Sequence, residues 1–161
     1  MREMLTHVDE LVAAVRVDHT GSGGPDLSGI DQVKKGMYAA PPIQRDFVCL
    51  APRGWVDLPG QGTLTGWARE YTIDVKGWAR STKDAPPERM AAAVELAASV
   101  QAAAQGVFLD EATPSDLYQV SHHFRIAETN VLDIHELGAQ GPWGFFTMTL
   151  AYEVHGRDEV P

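Results

Sequence analysis

An α+β domain, with a mostly antiparallel β-sheet and two helices packed on one face, is what this chain of 161 residues predicts. Three observations carry that expectation. In "REYTIDVKGWAR" Tyr71, Ile73 and Val75 alternate with polar residues, the two-residue period of a half-buried strand. After Pro86 and Pro87 the apolar spacing lengthens to Met90, Val94, Ala97, Val100 and Ala104, the period of a helix face. Near the C-terminus Phe146, Met148, Leu150, Tyr152 and Val154 alternate again, the clearest strand pattern in the chain.

The elements follow in order. Residues 1–15 form an amphipathic helix with Leu5, Val8, Leu11, Val12 and Val15 on one side; acids inside that pattern argue against a signal peptide. "HTGSGGPDLSG" is a flexible break, and the prolines of "MYAAPPIQR" exclude a central strand within residues 30–45. "DFVCLAP" is a short strand closed by Pro52. Residues 53–66 then form a loop with four glycines that carries Trp55, Leu58 and Leu64, with Trp67 just after it. Apolar groups on such a loop fold back on the core or dock a partner.

The strand around Tyr71 ends near Arg80, and Asp84 is placed as N-cap with proline in the first turn. The helix runs to about Gln105 and stops at Gly106, close to 28 Å at 1.5 Å per residue. Ala91, Ala92, Ala93, Ala97 and Ala98 give it a small face for close packing. "DLYQVSHHFRIAET" alternates Tyr118, Val120, His122, Phe124 and Ile126 on one face of a further strand, with "NVLDIHEL" as its partner. No repeat or linker divides the chain, so residues 1–161 are expected to form one domain.

Composition limits the function. No apolar run is expected to reach the ~20 residues that span a bilayer, so no membrane role is expected. Cys49 is the only cysteine, which excludes an internal disulfide and a cysteine-rich zinc site, and its apolar surroundings suit a buried thiol. The net charge of −9 is uneven: residues 90–161 hold only Arg125 and Arg157 against ten acids. Such a surface lacks the clustered cations that grip nucleic-acid phosphates.

Catalytic chemistry is sought and not found. "GQGTLTG" misses the dinucleotide fingerprint by one residue and precedes a strand. His122, His123, Asp133, His135 and Glu136 are the residue types that hold a divalent metal. Adjacent His122 and His123 should, however, point to opposite faces of their strand, and His122 is expected in the core beside Phe124. No catalytic residue, cofactor or metal is therefore assigned. Trp78 and Trp143 are expected at the core, whereas Trp55 and Trp67 are candidates for an interface.

A short helix, "DFVCLAP", a long loop, "YTIDVKGWAR" running into "PPERMAAAVELAASVQAAA", and a closing "FFTMTLAYEV" come in sequence. This order resembles the tail terminator (tail completion) proteins of long-tailed bacteriophages over most of residues 1–155. The resemblance implies a non-enzymatic virion subunit at the head-proximal end of the tail, assembled in the host cytoplasm. It implies a homo-hexameric ring that caps the tail-tube protein, ends tube growth and meets a head-tail connector or stopper. The genome would pass through its lumen without specific binding, which an acidic lining would favour. The Arg53–Gly66 loop corresponds in place to one that reaches the tube or a neighbouring subunit, making Trp55, Leu58, Leu64 and Trp67 the interface candidates. The segment "HTGSGGPDLSGIDQVKKG" departs from the pattern. Another neck or head-closure component, or a small metal-assisted hydrolase or ligand-binding protein, are the alternatives.

Overall fold

A computed structural model describes residues 2–60, 66–133 and 141–157. They form a five-stranded sheet in the order β1-β2-β3-β5-β4, with β1 Val33–Lys35, β2 Phe47–Asp57, β3 Gly66–Arg80, β4 Ser121–Asp133 and β5 Trp143–Arg157. Only the β1–β2 pair is parallel; the other three are antiparallel. Helices α1 (Arg2–Val15) and α2 (Pro86–Leu109) cover one face, and the short α3 (Asp116–Val120) leads into β4. The α+β class, the mostly antiparallel sheet and the two helices on one face are as the sequence predicts.

The alternating residues of β3 and β5 explain why the helices sit where they do. Tyr71, Ile73 and Val75 join Phe146, Met148, Leu150, Tyr152 and Val154 on one face. Val8, Leu11, Val12 and Val15 of α1 pack there with Leu96, Val100, Val107 and Phe108 of α2. Leu5 is instead exposed. Two glycines set the spacing. A Cβ at Gly77 would strike the Phe146 ring, and one at Gly144 would strike the backbone carbonyl of Arg89, so the helix lies directly on the strand there.

The opposite sheet face has a smaller aromatic core at one end, built from Phe47, Cys49, Trp78 and Trp143. Tyr38 closes it edge-on to Phe47, with ring centroids 5.1 Å apart. Cys49 is the buried thiol expected, its pKa raised by burial.

Several boundaries differ from the sequence expectation. β2 does not stop at Pro52; it continues to Asp57 through a bulge between Pro52 and Gly54. Pro52 lies past the last β1 pair, where one side of β2 is open and a strand tolerates a missing N–H. Residues 33–35, ahead of the prolines of "MYAAPPIQR", form the parallel edge strand β1.

Asp84 is not the N-cap of α2. That position is Ala85, while Asp84 pairs with the buried Arg89 at 2.6 Å. Gly106 does not end the helix, which runs to Leu109. Its buried face includes Ala93, Leu96, Ala97 and Val100, leaving Met90 and Val94 exposed. By length and composition α2 is apolar enough to cross a membrane, contrary to expectation, although its inner face is core in this fold.

Tyr118 and Val120 belong to α3 and not to a strand. Ser115 Oγ accepts the Tyr118 N–H at 2.9 Å, and the Glu10 carboxylate accepts the N–H groups of Asp116 and Leu117. Asn130–Asp133 continues β4 instead of forming a partner for it, and the rest of "NVLDIHEL" lies outside the described residues.

Candidate functional site

The end of the β2–β3 hairpin gathers three of the four interface candidates. Extension of β2 places Trp55 in a strand opposite Tyr71, not in a loop, and Trp67 opens β3. The Trp55 and Tyr71 rings are 6.3 Å apart between centroids. The Arg69 guanidinium lies between the two indoles, 4.5 Å from the Trp67 centroid and 5.8 Å from that of Trp55. Asp57 Oδ1 accepts from Arg69 Nε at 2.7 Å, holding the cation in place.

The candidates are not equivalent. Trp67 is half-buried against the main core and lies over Gly156, where any Cβ would meet its indole. It is a packing residue. Leu58 is half-buried, and its backbone N–H donates to the Ala68 carbonyl at 2.9 Å. Trp55 is 40% exposed and Val56 is 65% exposed; as neighbours in β2 they lie on opposite faces of the sheet, Trp55 with Tyr71 and Val56 with Glu70. Val56 was not singled out from the sequence, because residues 53–66 read as a loop and its strand-end position was hidden. Leu64 lies outside the described residues. An open cleft of about 440 Å³ runs along the hairpin beside Leu58, Trp67 and Arg69.

Behind the hairpin is a buried polar cluster that the sequence did not reveal. His7 of α1 is buried, its Nδ1 2.7 Å from the Tyr152 hydroxyl oxygen. Tyr71 stacks on Tyr152 at 5.7 Å and donates to Glu3 Oε2 at 3.2 Å. Burial lowers the His7 pKa, against the carboxylates of Glu3 and Glu10, and raises that of the Tyr152 phenol. A polar residue on the apolar side of an amphipathic helix was the one available signal. The cluster ties α1 to the two strands that carry the hairpin's base and its neighbour.

The histidine set is not assembled as a metal site. A bulge between His122 and Arg125, with His123 at φ 50°, breaks the simple alternation. His122 is exposed on the face away from the helices, 4.8 Å from His155 between ring centroids, and is not in the core beside Phe124. Phe124 stacks on Phe108 inside. His135 and Glu136 lie outside the described residues. Among the described residues no group of three His, Cys, Asp or Glu side chains has the arrangement of a metal site.

An open cavity of about 680 Å³ is at the other end of the sheet and is lined by Asp26, Gln44, Arg45, Asp46, Arg80 and Ser81 among others. The buried Gln32 amide donates to the carbonyls of Asp26 and Asp46 behind it. Burial raises the pKa of Asp46, opposed by the Arg80 N–H that its carboxylate accepts.

No protein-family model matches this chain, and no curated protein matches it either.

Proposed function

We propose that this protein is a structural subunit that forms a ring on the end of a phage tail tube, stops tube growth and presents the surface that joins the head. The observation that carries the reading is the β2–β3 hairpin, whose strand-paired residues keep Trp55 and Val56 exposed. Surface tryptophans of this kind, held by neighbouring packing, are the residues that dominate protein contacts. The resemblance in element order supports the same reading. The hairpin contacts a neighbouring subunit or the tube, and the subunit repeats as a closed homo-hexameric ring.

The test is assembly. Trp55→Ala with Leu58→Ala should fold, because the Trp55 side chain is only partly covered, yet should fail to limit the length of growing tubes of the cognate tail-tube protein. Electron micrographs showing normal capping by the double variant would defeat the hairpin reading. A melting temperature that collapses would assign both residues to the core.

A second reading, a small ligand-binding protein, rests on the 680 Å³ cavity with Arg45 and Arg80 on its wall. His122 and His155 lie elsewhere, on the opposite end of the sheet. Calorimetric titration with small carboxylates and phosphates decides this reading, since saturable heat lost in Arg45→Ala would favour it.

A further inference from the structure

The cavity of about 680 Å³ has charges of both signs on its wall, and they do not pair with one another. Asp46 Oδ1 accepts the backbone N–H of Arg80 at 2.6 Å, and Oδ2 has no hydrogen bond or ion pair among the described residues. This carboxylate is largely withdrawn from water. Burial raises its pKa, Glu95 adds to the rise, and only the Arg80 backbone N–H opposes them. A carboxylate held in that way without a cation is a cost to the fold until something supplies one.

The two arginines of the wall do not supply it. Arg80 Nη1 donates to the Gln44 carbonyl at 2.6 Å, and its guanidinium lies 6.0 Å from the Trp143 ring centroid. Arg45 is exposed and makes no hydrogen bond or ion pair among the described residues. Asp26, the other carboxylate on the wall, is already engaged by the N–H and the hydroxyl of Ser28, at 2.9 and 2.6 Å.

The wall itself is fixed from behind. The buried Gln32 amide donates to the carbonyls of Asp26 and Asp46, and its Oε1 accepts the Gly29 N–H at 3.1 Å. A Cβ at Gly29 would strike that amide, so glycine lets the chain close over it. The Ser81 N–H donates to the Pro142 carbonyl at 2.7 Å and ties another part of the wall. Groups held in this way need little ordering when a ligand arrives.

We infer that this cavity binds a small zwitterion, a free amino acid or short peptide whose ammonium group meets Asp46 Oδ2 and whose carboxylate meets the Arg45 guanidinium. The inference rests on the ligand-binding reading of the cavity and narrows it to the charges the ligand carries. It is independent of the ring reading, because Arg80 and the hairpin stand at opposite ends of β3. Each half of the ligand answers one observation. An ammonium group brings Asp46 the cation and the N–H donor it lacks. A carboxylate gives the unpartnered Arg45 the planar acceptor that suits a guanidinium fork. A simple anion would leave Asp46 unpaired and add like charge beside it, and a simple amine would face two arginines. With two arginines and two aspartates on the wall, a ligand of no net charge is the one it does not repel.

The experiment is calorimetric titration of the full chain at neutral pH with glycine, leucine, glycylglycine, acetate, ethylammonium and inorganic phosphate. At least one zwitterion should bind about tenfold or more tightly than acetate, phosphate or ethylammonium. Comparison of glycine and leucine with glycylglycine tells an amino acid from a peptide. Asp46→Asn keeps an acceptor for the Arg80 N–H, and it should weaken zwitterion binding about tenfold, as should Arg45→Gln. If Asp46→Asn melts at a lower temperature, the probe series on the native chain and Arg45→Gln decide. Acetate or phosphate binding as tightly as every zwitterion would overturn the inference and leave an anion site. Ethylammonium binding as tightly would overturn it and leave a cation site. Zwitterion binding that both variants retain would also overturn it. Absence of saturable heat with every probe would remove the inference together with the ligand-binding reading, and would leave the ring reading untouched.

Discussion

At the residue scale, burial holds the His7 imidazole below its ordinary pKa. The unfolded chain takes up that proton as pH falls below about 6.5, before the folded chain does. Stability from this group is therefore complete above that pH and declines as pH falls towards the lowered folded value. Thermal melts across that window should show the decline in the native protein and not in His7→Gln. At neutral pH the variant should be weaker by about 1–3 kcal/mol, because the Tyr152 hydroxyl loses its partner. A native protein with a flat profile from neutral pH downwards would show that His7 is not buried as described. Gly144 makes a contrasting case. A Cβ there meets the Arg89 carbonyl and the Ala93 side chain, so Gly144→Ala should cost about 1–3 kcal/mol by forcing α2 off the sheet. Urea denaturation measures it, and a neutral result would mean that the helix and strand are farther apart.

At the scale of elements, Gly106 separates the structural view of α2 from the sequence view. A glycine that ends a helix in a left-handed turn is harmed by alanine, whereas one inside a helix gains up to about 1 kcal/mol from it. α2 runs through Gly106, and no atom lies within 4 Å of an added Cβ. Gly106→Ala should therefore raise the melting temperature. The helix's existence was legible because Pro86, Pro87 and the alanine run favour nothing else. Its buried face was not, since the exposed Met90, Val94 and Leu109 weaken the contrast that periodicity detects. β3 and β5 were legible because one face of each is core and the period of two survives. The extent of β2 was hidden by Pro52, which is harmless only because β1 has already ended there. α3 depends on the Glu10 carboxylate from far back in the chain, and no local pattern reports such a cap. Of the candidate site, Trp55 and Trp67 were visible as large apolar groups near glycines. Their different roles depend on Gly156 lying under Trp67, a pairing that only the sheet register creates.

At the scale of the whole molecule, charge and topology each have a consequence. Copies that carry −9 repel one another over distances that salt screens, whereas a ring contact made through exposed apolar groups such as Trp55 is little affected by screening. Self-association should therefore strengthen as ionic strength rises, measured by sedimentation over a salt series. Weakening with salt would mean that ion pairs dominate the contact. The other consequence comes from β5. It is the last strand of the described residues and yet lies inside the sheet, paired on one side with β3 and on the other with β4. Tyr152 on it also holds His7, 145 residues earlier. During synthesis α1 and β3 emerge long before the strand that completes their shared core. At about 5–20 residues per second, the 77 residues from the end of β3 to the end of β5 leave that apolar surface incomplete for about 4–15 seconds. Completion of the core therefore waits until translation has passed β5, almost the whole of the described chain.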